Sequence, residues 1–376
     1  MIAIEVFQEL TPALLDCLRQ LVEIESPSTD KAAVDRVGAF IAAAARQLGA
    51  EIVVDRQTQV GDNLLARWGG SAEQNGILLL CHMDTVFDVG TLAQRPTGVE
   101  DGRFYGPGAL DMKAGIAIAL GALSMLRQKD AWPSRPITLL CTSDEETGSY
   151  HSRQIIESEA RRADLALCLE PALPDGALKT SRKGTGDIEI TAYGVAAHAG
   201  GDHDRGRNAI EELSYHIIAA QKLTDYDRGT TVSVGKTRGG TRSNVVPDEA
   251  WAIADLRVMD LAEVERVRRW AETLQPILDG ARVSATVSVN RPPMPRDDLM
   301  AATFGRVQAI GQRLGLTLKE GSAGGASDAN FIAPLGVPVM DGLGGVGEGA
   351  HAENEYVLVS SLAERAALLA AILTEW

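Results

Sequence analysis

Cysteine is scarce: the four present (Cys17, Cys81, Cys141 and Cys168) show neither Cys-x-x-Cys spacing nor the density of a small secreted scaffold. That argues against a disulfide framework and predicts free thiols. Long apolar runs are also lacking. The longest, Ala114 to Leu126, covers about 13 residues, short of the roughly 20 a membrane-crossing helix needs, and it reads as a buried helix. Basic residues are in deficit, 36 Lys and Arg against 51 Asp and Glu for a net charge of −15, with no run of like charge. This argues against nucleic acid as a partner, because phosphate-backbone binding relies on clustered Lys and Arg. The first ten residues carry acids where a secretory signal needs a basic start, and they lack the Arg-rich character of a transit peptide. The expectation is a cytoplasmic enzyme with no membrane partner. No internal repeat or low-complexity tract occurs.

What remains is a 376-residue chain that is 45% hydrophobic and 23% charged, enough for a substantial core in two or three domains, or in one large domain carrying an insertion. From about Ile77 to Pro171, short apolar runs alternate with helical stretches, which predicts an α/β sheet covered on both faces. Ile77 to Cys81, Ile137 to Thr142 and Leu165 to Leu169 read as buried strands, with a helix over Met112 to Arg127 joining the first two. From Lys179 to Asn290 the order is β-α-β-β-α-β, the ferredoxin-like signature of a compact α+β module. Its helices open at Asn208 with Glu211, and at Asp260 with Glu263, in capping-box spacing. The α/β pattern then resumes with a helix near Leu299 to Leu314, a strand at Val337 to Met340 and a final helix from Ser360. The fold class expected is α/β with a mixed, largely parallel sheet (residues 1–178 and 291–376), interrupted by a smaller α+β domain (179–290).

Three of the predicted strands end in acids or a histidine, and the carboxyl ends of strands are where open α/β sheets bind ligands. The first runs into His82-Met83-Asp84, where residues two apart face one side. The second ends in Asp144-Glu145-Glu146, whose adjacent acids point opposite ways, so that one can bind a cation while its neighbour addresses a water. The third ends in Glu170-Pro171, and Gly106-Pro107-Gly108-Ala109-Leu110-Asp111 delivers one more carboxylate from a Gly-rich turn. In one cleft, Asp84, Asp111, Glu145, Glu146 and Glu170 would repel one another unless protons or cations neutralised them. Two divalent cations against Asp111, Glu146 and Glu170, with imidazoles completing the coordination, resolve the problem. Mixed His and carboxylate ligation suits zinc, with cobalt or manganese as substitutes. Each motif alone has a plainer reading, as a solvated turn or a hydrogen-bonded core histidine. The set, in this setting, points to metal.

Cys81-His82-Met83-Asp84-Thr85-Val86, Gly106 to Lys113, Asp144-Glu145-Glu146-Thr147-Gly148-Ser149, Leu169-Glu170-Pro171 and Ala350-His351-Ala352-Glu353 together resemble the zinc-dependent exopeptidases and deacylases. That family includes glutamate carboxypeptidase, acetylornithine deacetylase, succinyl-diaminopimelate desuccinylase and aminoacylase. The resemblance covers nearly the whole chain, in order, and implies two Zn2+ per subunit. Asp111 would bridge them, His82 and Glu170 would complete one metal, and Glu146 and His351 the other. Asp84 would orient His82, and Glu145 would be the general base. The resemblance further implies that the smaller domain is a lid pairing two subunits as a homodimer. His198 resembles the lid histidine that stabilises the oxyanion in the partner's site. Asn244 and Arg257 match positions that bind the substrate carboxylate, while Arg291 and Gly325 match the glutamate carboxypeptidase branch more loosely. The implied substrate is a small peptide or N-acyl amino acid, cleaved at an amide beside a free carboxylate. Gly106-Pro107-Gly108 tilts the reading toward the carboxypeptidase branch, and Glu170 in place of Asp toward carboxypeptidases and deacylases generally. Cys81 departs from the Gly or Ser that many relatives carry there.

Two rival readings fail in context. Gly342-Leu343-Gly344-Gly345-Val346-Gly347 fits G-x-G-x-x-G, but too little chain follows for a dinucleotide-binding βαβ unit and His351 intervenes. Gly325-Ala326-Ser327-Asp328-Ala329 lacks the final glycine of a nucleophile elbow, and a serine hydrolase would leave the acidic cluster unexplained.

Overall fold

A computed structural model describes residues 1–69 and 75–376. The chain divides into two compact units, Met1–Ser181 with Arg296–Ala323 and Ser327–Trp376, and Arg182–Pro295 with Gly324–Ala326. The larger is an α/β unit. Its six-stranded sheet runs in the order Glu51–Asp55, Asn63–Trp68, Ile137–Thr142, Gly76–His82, Ala163–Cys168, Val339–Met340. The last four are parallel to one another, and the first two join antiparallel. The sheet is thus mixed and largely parallel. Its central strands are continuous apolar runs because both faces are covered.

The helix Ala114–Gln128 is buried along most of its length, packed with Thr11–Glu23 and Val359–Glu375. Together with the irregular turn before it, it forms a stretch, Ala109–Gln128, long and apolar enough to cross a bilayer, yet most of that stretch is buried inside the protein. It is a core helix, as its lack of a polar face suggests. A separate four-stranded sheet, in the order Gly347–Glu348, Tyr356–Leu358, Arg103–Tyr105, Gly98–Glu100, has no counterpart in the sequence pattern. Its strands are two or three residues long, too short to show a period.

The smaller unit pairs Thr231–Gly239, Glu249–Val258, Gly184–Tyr193 and Arg282–Arg291, in that order and all antiparallel. Helices Ala209–Gln221 and Leu261–Glu272 pack on one face over Ile188, Ile190, Ala254 and Leu256. Asn208 and Asp260 cap them through their side chains, as the spacing predicts. The unit's limits differ from the sequence expectation. The strand Arg282–Arg291 runs past 290, and Arg182 and Met294 pair backbone to backbone, so the chain up to Pro295 stays with the smaller unit. Arg291 therefore belongs there and not to the larger unit. So does Gly325, whose carbonyl accepts from Arg182 Nη1 at 3.2 Å.

Candidate metal centre

Strand ends of the main sheet position the acidic cluster. Gly76–His82 delivers His82 and Asp84, Ile137–Thr142 leads into the turn Glu145–Thr147, and Ala163–Cys168 leads to Glu170. The small sheet contributes from the other side. Arg103–Tyr105 enters the loop to Asp111, while Gly347–Glu348 and Tyr356–Leu358 form a hairpin whose loop carries His351. Left-handed backbone recurs in these loops. Gly108 has φ 71°, and a Cβ there would meet Thr85 Cγ2 at 2.5 Å, so glycine is required. His351 itself has φ 65°, a costly conformation for a residue with a Cβ and one that clusters at functional sites.

The carboxylate of Asp111 lies between two imidazoles. Its Oδ1 is 3.1 Å from His82 Nε2, and its Oδ2 is 3.4 Å from His351 Nε2. Glu170 Oε1 approaches His82 Nε2 at 3.5 Å, and Glu146 Oε2 approaches His351 Nε2 at 3.0 Å. Donor atoms of His82, Asp111 and Glu146 lie within 4.8 Å of one another, as do those of His82, Glu145 and Glu170. Glu145 therefore also stands within 4.8 Å of His82. Asp84 joins these segments: its carboxylate accepts from Ser28 Oγ at 2.6 Å and from the amides of Glu145 and Glu146 at 3.2 and 3.1 Å. His82 Nδ1 meets the Asp84 carbonyl at 3.0 Å, closer than the carboxylate at 3.4 Å, so the main chain is the nearer orienter of the ring.

The electrostatics follow from that packing. Burial alone would lower the His82 pKa, but hydrogen bonds to Asp111, Asp84 and Glu170 raise it well above its usual value. Hydrogen bonds that His351 donates to Asp111 and Glu146 lift it to about 11. Burial would raise Asp111, yet His351 and His82 hold it well below the ordinary carboxylate range. Glu146 goes the other way, raised by burial and by the charge of Asp111, and among the described residues its buried Oε1 has no hydrogen-bond partner. An orphaned carboxylate oxygen, inside a ring of carboxylates and imidazoles whose donor atoms converge, fits divalent cations held by oxygen and nitrogen ligands.

Sequence reasoning missed several partners of this cluster. Ser28 is one. Buried Asp328 accepts from Thr142 Oγ1 at 3.0 Å and from Ser149 Oγ, bracing the turn that carries Glu145 and Glu146. Buried Glu355 accepts three backbone amides from the Asp111 loop. Its signal was an acid four residues after His351, just beyond Ala350-His351-Ala352-Glu353.

The remaining sequence-predicted residues lie in the smaller unit. His198 pairs with Val245, and the Asn244 carbonyl accepts from the Ala199 amide at 3.0 Å, so His198 and Asn244 share one corner. His198 Nδ1 accepts from the amides of Gly200 and Gly201 at 3.1 and 3.0 Å. That leaves the proton on Nε2, so the exposed ring offers a donor. Arg257 is already engaged, its Nε and Nη2 forming a fork on Asp255 at 2.9 Å. Arg291 is buried at its strand's end beside Thr185. A Cβ at Gly325 would meet nothing within 4 Å, so its backbone does not demand glycine.

The family model for peptidase family M20/M25/M40 matches residues 78–375. This chain belongs to that family. Carboxypeptidase G2 of Pseudomonas sp. (strain RS-16) is 31% identical over 371 residues, covering 97% of this chain and 89% of its own. A succinyl-diaminopimelate desuccinylase of Rhodospirillum centenum is 29% identical over 340 residues, covering 85% of each. Among solved structures, aminopeptidase PepT from Bacillus cereus superposes with a TM-score of 0.75 at 24% identity, covering 96% of this chain and 98% of its own, which bears on the fold. The chain is thus an enzyme of a metal-dependent hydrolase family, and the M20 fold accounts for the largely parallel sheet.

Proposed function

We propose that this M20 enzyme uses two zinc ions to hydrolyse an amide beside a free carboxylate, as a glutamate-carboxypeptidase-like exopeptidase acting on small peptides. The observation that carries the reading is the placement of Asp111, with one oxygen toward His82 and the other toward His351. A carboxylate so flanked is disposed to bridge two cations. His82, Asp111 and Glu170 would hold one metal, and Asp111, Glu146 and His351 the other, with cobalt or manganese as substitutes. When bound, such ions acidify a water and polarise a carbonyl. Glu145 takes the proton of the attacking water and returns it to the leaving amine. Asp84 keeps the Glu145–Glu146 turn and His82 in place through its accepted hydrogen bonds. His198, protonated on Nε2, is assigned to the oxyanion, a donor whose kind is worth about 3 to 4 kcal/mol in other hydrolases. Asn244 and Arg257, and more loosely Arg291 and Gly325, are assigned to the substrate carboxylate. For Arg257 that requires release from Asp255 or sharing of its fork. The smaller unit is assigned as a lid that pairs two subunits.

Carboxypeptidase G2 among the relatives favours the carboxypeptidase reading, and the desuccinylase favours a second one, N-acyl-amino-acid deacylation. A panel varied separately on each side of the amide, with zinc content measured in parallel, separates them. Turnover of peptidyl substrates over N-acyl ones is expected, abolished by chelation and restored by zinc. Preference for N-acyl substrates would select the second reading, and undiminished hydrolysis after exhaustive chelation would overturn both.

A further inference from the structure

We propose that Glu355 is a positioning residue for the metal centre, fixing the backbone from which the Asp111 side chain leaves and holding it in register with the His351 loop. The inference rests on the two-metal reading above. The Glu355 carboxylate is buried, and every hydrogen bond the structure gives it goes to main chain: Oε2 accepts from Gly108 N at 2.9 Å, and Oε1 accepts from Leu110 N at 2.7 Å and Asp111 N at 3.0 Å. One of those amides belongs to the residue that faces both imidazoles.

A carboxylate is a costly choice in this position. The cleft is already acidic, and burial pushes the Glu355 carboxyl up to about 7 even against the three amide hydrogen bonds that favour its charged form. What ionised Glu offers, and a neutral side chain does not, is two acceptor oxygens with no donor of its own, which suits a turn presenting three N–H groups to one point.

Register explains how the clamp is delivered. Tyr356–Leu358 pairs antiparallel with Arg103–Tyr105, Tyr356 standing opposite Tyr105. Glu355 therefore sits where the chain opposite turns into the Gly106-Pro107-Gly108 loop. The His351 loop is closed upon itself by Ala352 N donating to Gly349 O at 2.8 Å and Glu355 N donating to Ala352 O at 3.3 Å, and Arg95 Nη1 reaches the same Ala352 carbonyl at 3.1 Å. One side chain thus ties the segments bearing Asp111 and His351 together. Metal–ligand distances tolerate only about ±0.2 Å, and partners that orient ligands typically matter by about 10–100-fold in metal affinity or activity.

The test uses full-length protein carrying Glu355→Gln or Glu355→Ala. Gln fills the same volume but turns one acceptor into a donor aimed at an amide N–H. Chelator competition reads zinc affinity, the visible spectrum of the cobalt-substituted protein reads ligand geometry, and steady-state kinetics read kcat and KM. Glu355→Ala is expected to weaken zinc binding by about 10–100-fold, alter the cobalt spectrum, and lower kcat with KM changed less than about threefold, and Glu355→Gln to fall between it and the wild type. Wild-type zinc affinity and cobalt spectrum in Glu355→Gln, whatever its melting temperature, would overturn the proposal. Absence of zinc binding in the wild type would instead strike the two-metal reading beneath it.

Discussion

Glu145 and Glu146 are neighbours with different surroundings, and chemistry can follow that difference. Glu146 directs Oε2 to His351, and among the described residues its Oε1 has no hydrogen-bond partner. Glu145 shares the turn and hangs by its amide from Asp84. Glu145→Gln is expected to keep the zinc content of the wild type and lose about a thousandfold in kcat, in the range that general acid–base catalysis supplies; metal analysis beside kinetics checks it, and substantial residual turnover would remove Glu145 from that role. At this scale the sequence was readable wherever a strand ended in an acid or a histidine, because strand ends are also the place where the sheet opens. It was unreadable for Ser28, Asp328 and Glu355. A side chain that accepts from distant backbone or hydroxyl groups leaves no spacing behind, and only three-dimensional register reveals it. The engagement of Arg257 by Asp255 was legible in principle, since residues two apart on a strand share a face.

The elements that carry the proposed ligands are packed with little slack. Gly115 opens the core helix Ala114–Gln128, and a Cβ there would stand 2.1 Å from the Leu169 carbonyl, one residue before Glu170. Since backbone cannot yield as a flexible side chain can, Gly115→Ala is expected to lower both melting temperature and zinc affinity, measured by calorimetry and chelator competition. In the smaller unit, Glu263 in the first turn of Leu261–Glu272 bonds Arg266, Thr230 and Arg228. The Arg266 hydrogen bond leads these in holding its carboxyl down at about 2, against burial. With a folded pKa below the unfolded value of about 4.3, its contribution is complete above that value and is lost as pH falls through about 2. Glu263→Gln should therefore flatten the decline in that helix's hydrogen-exchange protection between about pH 5 and pH 2, and an unchanged decline would show that other carboxylates govern it. Long strands and helices were legible from period and capping. The small sheet around His351 was not, because its order comes from pairing alone.

The two chain crossings into and out of the smaller unit lie close together. Thr180 Oγ1 and Arg296 Nε, just outside either end of the insertion, bond the same Glu320 oxygen at 2.9 and 2.7 Å. Replacing residues 182–295 by a short Gly-Ser linker is therefore expected to leave a folded larger unit that still takes up zinc, since every proposed ligand lies outside the excised segment, while turnover falls with the loss of His198. A truncated protein that cannot hold metal would show that the larger unit depends on the insertion for its fold. The β-α-β-β-α-β order made this interruption legible, but its exact limits depended on backbone pairing near Met294.

His351 hangs from a hairpin far along the chain, whereas His82 ends an early strand. During translation, the ribosome must make everything between these positions before both imidazoles can meet Asp111. On the two-metal reading, a nascent chain that stops short of the hairpin would carry four of the five proposed ligands and lack His351 for the second metal, so hydrolytic competence is expected only once synthesis has passed the hairpin.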